Sequence, residues 1–288
     1  MVEFLLSNQL QFLGMFALFV VIVVVISNTK ERYAMPSSIE ISVGKENISS
    51  IQSRLGILIP LFTNYSETGD WEEVIKAKIA HPNIPMIAIV NPSSGSGLEI
   101  NPEILKGVRK MQSVGIKVIG YVPTGYSWRS RDDVVAEIEN YNKWYGTDGI
   151  FFDEVAHWYG REGYYIDLVG YVKSHKSASI AVGNPGIDEA MSTYTDIFDI
   201  LVIYESQNLP NSSKLDSWYS KGRKKLASLS FGVKSIDEND LEDISNSIGW
   251  VFITQNNLPN PWSGMPSYFE EFVEMVENTT ISIKQPVL

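Results

Sequence analysis

The 288-residue chain contains no cysteine. Disulfides and thiolate metal centres are therefore excluded, and no redox compartment can be inferred. Histidine is scarce. His81, His157 and His175 are scattered, and no His-x-His pair follows the first predicted strand, so a hydrolytic metal site lacks its ligands. No Lys/Arg cluster interrupts a net charge of −11, which argues against a nucleic-acid partner. The Gly-Lys-Ser/Thr of a phosphate loop is missing as well. The segment Ser93-Ser94-Gly95-Ser96-Gly97 instead reads as a mobile lid. Carboxylates on successive strand ends, which would hold magnesium, are absent because the fifth predicted strand ends in Asn184. No metal and no cofactor is expected.

Long hydrophobic runs are lacking except at the amino terminus. Phe12 to Ile26 is almost purely apolar, and with Phe4 to Leu6 and Leu10 it approaches the ~20 residues that span a bilayer. A buried helix would show a polar face. A cleaved signal peptide would show a basic n-region and a small-x-small site, and neither is present. The reading is an uncleaved transmembrane anchor at 1–27 and a polar stalk at 28–54. A barrel domain follows at 55–279, then a tail at 280–288. Lys30 and Arg32 favour a cytoplasmic carboxyl side. The sequons at Asn47, Asn64, Asn211 and Asn278 favour the exterior, and the domain is expected there, on a single-pass membrane protein.

What the chain does have is a core. Hydrophobic residues make up 44% and aromatics 11%. From Leu55 onward, short β-branched runs alternate with amphipathic stretches. The runs are Gly56 to Leu61, Pro85 to Val90, Lys117 to Val122, Gly149 to Phe152, Ser179 to Val182, Ile200 to Tyr204, Lys225 to Phe231 and Trp250 to Thr254. The helices are predicted at Trp71 to Ala80 (capped by Asp70), Pro102 to Val114, Asp132 to Trp144, Glu162 to His175, near Asp188, Ser213 to Lys221, Asp237 to Ser247 and Ser267 to Glu277. Runs apolar on both faces indicate a buried parallel sheet. Eightfold βα alternation points to an α/β fold, a (β/α)₈ TIM barrel. An open doubly wound sheet is the alternative, but Pro60-Leu61-Phe62-Thr63 stands where its Gly-rich loop should be.

In such a barrel, function sits just after each strand. Those positions hold carboxylates, amides and aromatics. Phe151-Phe152-Asp153-Glu154 ends the fourth run in two carboxylates, and Glu205 ends the sixth. Carboxylates facing one another across a barrel mouth suit glycosidic cleavage. Amides hydrogen-bond sugar hydroxyls and aromatic faces stack on sugar rings. The substrate-binding candidates are Asn64, Asn91, Tyr121, Tyr126, Trp128, His157, Trp158, Asn184 and Gln255. Adjacent strand residues point to opposite faces, so Asp153 and Glu154 need not share a pocket.

Several segments resemble the spherulin-4 family. They are Gly56 to Phe62 followed by Trp71, Asn91-Pro92 with its Gly-Ser loop, Gly120-Tyr121-Val122, Trp144-Tyr145 before Asp148-Gly149-Ile150-Phe151-Phe152-Asp153-Glu154, and Gly183-Asn184-Pro185-Gly186. The resemblance runs from Gly56 to Phe272, and the Asp-Gly-Ile-Phe-Phe-Asp-Glu block is its most specific part. It implies a glycoside hydrolase like the fungal endo-α-1,4-N-acetylgalactosaminidases that act on galactosaminogalactan. It also implies catalytic carboxylates at Asp153, Glu154 and Glu205. The expectation is an endo-acting hydrolase of an amino-sugar-containing surface or matrix polysaccharide. Glu205 would be the general acid, Asp153 the nucleophile or base, and Glu154 a tuning or positioning group. The alternative is a non-catalytic glycan-binding or structural surface protein on a hydrolase scaffold. Oligomeric state is not legible in the sequence.

Overall fold

The structure, a computed structural model, describes residues 54–279 apart from 66–67 and 188–189. Eight parallel strands close into a barrel in sequence order. They are β1 (Gly56–Leu61), β2 (Met86–Val90), β3 (Lys117–Pro123), β4 (Gly149–Asp153), β5 (Ile180–Gly183), β6 (Ile200–Gln207), β7 (Leu226–Phe231) and β8 (Trp250–Ile253). The helices between and after them are α1 (Asp70–Ala80), α2 (Pro102–Ser113), α3 (Arg131–Asn140), α4 (Glu162–His175), α5 (Ser212–Asp216), α6 (Glu238–Ser245) and α7 (Phe269–Asn278). β1, β2 and β7 are buried at every position. That is what apolar runs without alternation require when helices cover the outside and side chains fill the inside.

The fold class read from the sequence, a barrel preceded by a transmembrane helix, is corrected in its second half. Among the described residues, no helix is long and apolar enough to cross a membrane. Barrel helices need to cover only one strand each, and the longest, α4, has 14 residues. The run Phe12 to Ile26 and the expected anchor, stalk (save Arg54) and tail lie outside the described residues.

Local chemistry explains most element boundaries. The Asn101 side chain accepts from the amides of Glu103 and Ile104, and Pro102 opens α2, where its missing N–H costs nothing. Asp237 and Asp240 form a reciprocal capping box at α6. Asp70, expected as a cap, is instead the first residue of α1. Gly69 precedes it in the left-handed region, and the Thr68 hydroxyl accepts from the Asp70 amide at 3.4 Å. Asp188, near which a helix is expected, lies outside the described residues, and a 3₁₀ turn follows at Ser192–Asp196. The helix expected over Ser213 to Lys221 is the short α5 followed by 3₁₀ turns at Tyr219–Lys221 and Arg223–Lys225.

Two details of the barrel wall position the site. At the foot of β4, Asp148 accepts from the Val118 amide, Gln112 Nε2 and Lys117 Nζ. Burial pushes its pKa up, but these donors outweigh burial and hold it below the usual carboxylate value. A Cβ on the adjoining Gly149 would lie 2.0 Å from the Ile180 carbonyl oxygen. The Asp-Gly pair thus fastens β4 to β3 and lets it approach β5. In the helical layer outside β3, α3 passes into a π-turn at Tyr141–Tyr145 that ends at Gly146. The Tyr141 ring fills the space left by Gly120, and its hydroxyl donates to the Val90 carbonyl.

Candidate active site

β4 delivers Asp153 to the barrel mouth, with Phe151 two residues below on the same inward face. β3 lies beside β4 with Tyr121 opposite Phe151. Its hydroxyl donates to Asp153 Oδ2 at 2.7 Å. Asn184, just past β5, donates from one Nδ2 to Asp153 Oδ1 at 2.9 Å and to Glu205 Oε2 at 2.6 Å. An amide nitrogen has two hydrogens, so one serves each carboxylate. On the far side, Trp262 Nε1 lies 3.2 Å from Glu205 Oε1 and donates to it. A continuous chain therefore runs Tyr121, Asp153, Asn184, Glu205, Trp262, drawn from β3, β4, the loop after β5, β6 and the loop after β8.

The electrostatics of the pair are unequal. Burial, then the neighbouring Asp153 charge, raise the Glu205 pKa to about 7, against smaller opposing effects of Asn184 and Trp262. Asp153 is also raised by burial, but Tyr121, the Glu154 amide and Asn184 stabilise its charged form. Burial and the Asp153 charge also push the Tyr121 phenol well up, so it remains a donor. Glu205 thus holds a proton up to about pH 7, while three donors favour the charged form of Asp153.

These groups line a cavity of about 420 Å³, within the usual range for a small-ligand site. Its floor is apolar, with Pro60, Ile89, Phe151 and Leu229. Phe62, Asn91, Ser94, Asn260 and Trp262 stand around the two acids, and among the described residues no Lys or Arg lines it. A larger cavity of about 580 Å³ lies between α1 and α7. Among the described residues no strand-end residue lines it, and burial and the charges of Asp70 and Glu270 raise Glu73 there.

The sequence-derived candidates separate into groups. Asp153, Glu205, Asn91, Tyr121 and Asn184 line the cavity. Tyr126, His157 and Trp158 form a rim cluster. Tyr126 stacks on Trp158 at 6.2 Å, and His157 meets both rings edge-on. Trp128 is farther out, 74% exposed, with the Arg161 guanidinium 5.0 Å from its ring centre. Asn64 does not line the cavity. Gln255 is engaged elsewhere, accepting from the Ser267 amide and donating to Asn256. Glu154 also does not line it. Its backbone turns into the left-handed region at φ 52, and its Oε2 accepts from the Gly125 amide at 3.0 Å.

The lid expected at Ser93 to Gly97 is instead tied down. Ser96 is buried, receives Asn140 Nδ2 on its hydroxyl, and directs its amide to Glu137 Oε2. Gly95 donates to Asn91 Oδ1, and a Cβ there would strike Glu137. Glu137 in turn pairs with Arg129. Among the described residues, no cluster of three or more His, Asp or Glu could hold a metal ion. Asn260 carries no signal in the sequence, and Trp262, one of the residues expected at the mouth after the eighth strand, is not singled out there for binding. The indole sits 57 positions from the carboxylate it meets, and only a loop rich in Asn and Pro after the last strand hints at it.

Comparison with known proteins bears on the family and the fold. Spherulin-4 of Physarum polycephalum is 29% identical over 164 residues, which is 56% of this chain and 48% of that protein. The chain thus matches about half the length of that relative. A crystal structure of Aspergillus clavatus Sph3 in complex with GalNAc superposes with a TM-score of 0.70. It is 23% identical and covers 79% of this chain and 99% of that one. The GH18 chitinase ChiB of Flavobacterium johnsoniae superposes at 0.50, with 11% identity over 78% of this chain and 94% of the chitinase. Both likenesses are of fold. The profile of Spherulation-specific family 4 matches residues 56–276, the whole barrel from β1 into α7. With that match over a barrel carrying the motifs described above, the chain belongs to the spherulin-4 family.

Proposed function

We propose that this protein is an endo-acting glycoside hydrolase that cleaves an amino-sugar-containing polysaccharide of the N-acetylgalactosamine type. The observation that carries the reading is the Asn184 amide shared between Asp153 and Glu205. Its two bonds hold the nearest carboxylate oxygens no more than about 5.5 Å apart. Retaining glycosidases set their two carboxyl groups roughly 5–5.5 Å apart, whereas inverting enzymes need about 6.5–9.5 Å to admit a water.

On this reading Glu205, protonated near neutrality, gives its proton to the glycosidic oxygen as the bond to C1 breaks. A lone pair of the Asp153 carboxylate forms a bond to C1. The Glu205 carboxylate then takes a proton from water, whose oxygen displaces Asp153 and restores both groups. Tyr121 and Asn184 keep Asp153 oriented and charged. Sph3, which shares the fold, was solved with GalNAc bound, and a chitinase shares it more distantly. Both support an amino-sugar substrate. The exposed aromatics Trp128 and Tyr159 beyond the cavity suit a long chain held along the rim, hence endo cleavage.

The test is release of new reducing ends from amino-sugar polymers by the full-length protein. Asp153→Asn and Glu205→Gln should each lower kcat about 10²–10⁴-fold while retaining oligosaccharide binding. Binding without turnover by the unaltered protein would instead favour a glycan-binding role on a hydrolase scaffold.

A further inference from the structure

Glu154 follows Asp153 directly, yet it is turned out of the cavity. Its backbone φ of 52 breaks the strand alternation and swings the side chain toward the turn after β3. Three bonds run from that turn onto Glu154. The Gly125 amide donates to its Oε2 at 3.0 Å, the Tyr126 amide to its carbonyl at 2.7 Å, and Thr124 Oγ1 to the same carbonyl at 2.7 Å. The turn needs such support. Gly125, Tyr126 and Ser127 lie consecutively in the left-handed region at φ 55, 55 and 71. Non-glycine residues persist there only when their surroundings over-determine them. The turn carries Tyr126, which stacks on Trp158, and leads into exposed Trp128.

We propose that Glu154 is a positioning residue that fixes the 124–128 turn and thereby sets affinity for sugar units lying outside the cavity. The proposal rests on the glycosidase reading for its substrate. Glu154 contributes an acceptor oxygen and a strained carbonyl, not a proton or a nucleophile. Two acidic neighbours at one strand end then divide the work. Asp153 faces the bond to be broken, and Glu154 faces the loop that grips the rest of the chain.

Glutamine keeps an acceptor oxygen for the Gly125 amide, and alanine removes it. In the full-length protein, Glu154→Gln should keep kcat and KM within about twofold of the unaltered enzyme. Glu154→Ala should raise KM for a long N-acetylgalactosamine oligomer about tenfold, with kcat nearly unchanged. It should have little effect on the shortest oligomer turned over. Amide exchange at Gly125 and Tyr126 should quicken in Glu154→Ala and not in Glu154→Gln. A collapse of kcat in Glu154→Gln would make this group a catalytic carboxylate and overturn the proposal. So would equal losses on short and long oligomers, or unchanged exchange in Glu154→Ala. Absence of turnover in the unaltered protein sinks the hydrolase reading alone, because the exchange measurement still decides whether Glu154 holds the turn.

Discussion

At the residue scale, the site depends on keeping a proton where water alone would remove it. Glu205 has an ordinary pKa of 4.5 and is raised to about 7 by burial and by Asp153. A carboxyl whose folded pKa is raised binds protons more tightly in the folded state. Its contribution is fully favourable below about 4.5 and is lost as pH rises through about 7, an upper bound of about 3 kcal/mol. Glu205→Gln cannot ionise, so it escapes that loss. Its amide oxygen can accept from only one of Asn184 and Trp262, however, and the bond lost to the other costs about 1 kcal/mol at any pH. The expected outcome is a variant slightly less stable than the unaltered protein at pH 4 and more stable at pH 8, read as melting temperature against pH. A difference independent of pH would mean that Glu205 is not titrating abnormally. The two acids were legible because each ends an apolar run. The pairing that makes them a unit was not. Nothing in Gly183-Asn184-Pro185 announces that Asn184 spends both amide hydrogens on carboxylates from neighbouring strands, and nothing near Glu205 announces Trp262.

At the element scale, hydrophobic period located every strand, but it missed where backbone pairing outlasts hydrophobicity. β6 was read as ending at Tyr204, yet it continues through Gln207 because Glu205, Ser206 and Gln207 pair with Leu229, Ser230 and Phe231 of β7, past an irregularity between Val202 and Tyr204. Polar side chains at a barrel mouth are compatible with strand backbone, and hydropathy does not register that. The left-handed turn at Glu154 escaped for a similar reason, since glutamate carries no signal for positive φ. Two glycines test the packing of the helical layer. A Cβ at Gly120 would lie 2.4 Å from the Tyr141 ring. Gly120→Ala should therefore destabilise by about 2 kcal/mol through overpacking, seen as a lower urea midpoint. Gly170, inside α4, has nothing within 4 Å of such a Cβ, and Gly170→Ala should stabilise by about 0.5–1 kcal/mol. Equal behaviour of the two variants would mean that Tyr141 does not pack on β3 as described.

At the scale of the whole molecule, five separate chain segments converge on one proton inventory, and the pH–rate profile should reflect it. Asp153 must be ionised and Glu205 protonated, so kcat/KM should be bell-shaped. The rising limb should lie above the ordinary aspartate value of 3.8, and the falling limb near about 7. The Trp262 indole lowers the Glu205 pKa. Trp262→Phe should therefore move the falling limb to higher pH, measured on a soluble oligosaccharide. An unmoved limb would assign it to another group. The barrel architecture was readable because its eightfold repeat is long and its Asp-Gly-Ile-Phe-Phe-Asp-Glu block specific. The order of the strands also has a consequence in time. β1 pairs with β8 through only Gly56 opposite Trp250 and Ile57 opposite Val251. As the barrel leaves the ribosome, β1 emerges first of the eight strands and waits for its last neighbour until the six strands between them have been made. During that wait it presents an unpaired apolar edge, the kind that recruits other nascent chains. Pro60 sits in the upper part of that edge, beyond the pairs β8 makes, and has no N–H to offer a stranger. A residue that looks misplaced in a buried strand thereby guards the seam until the ring can close.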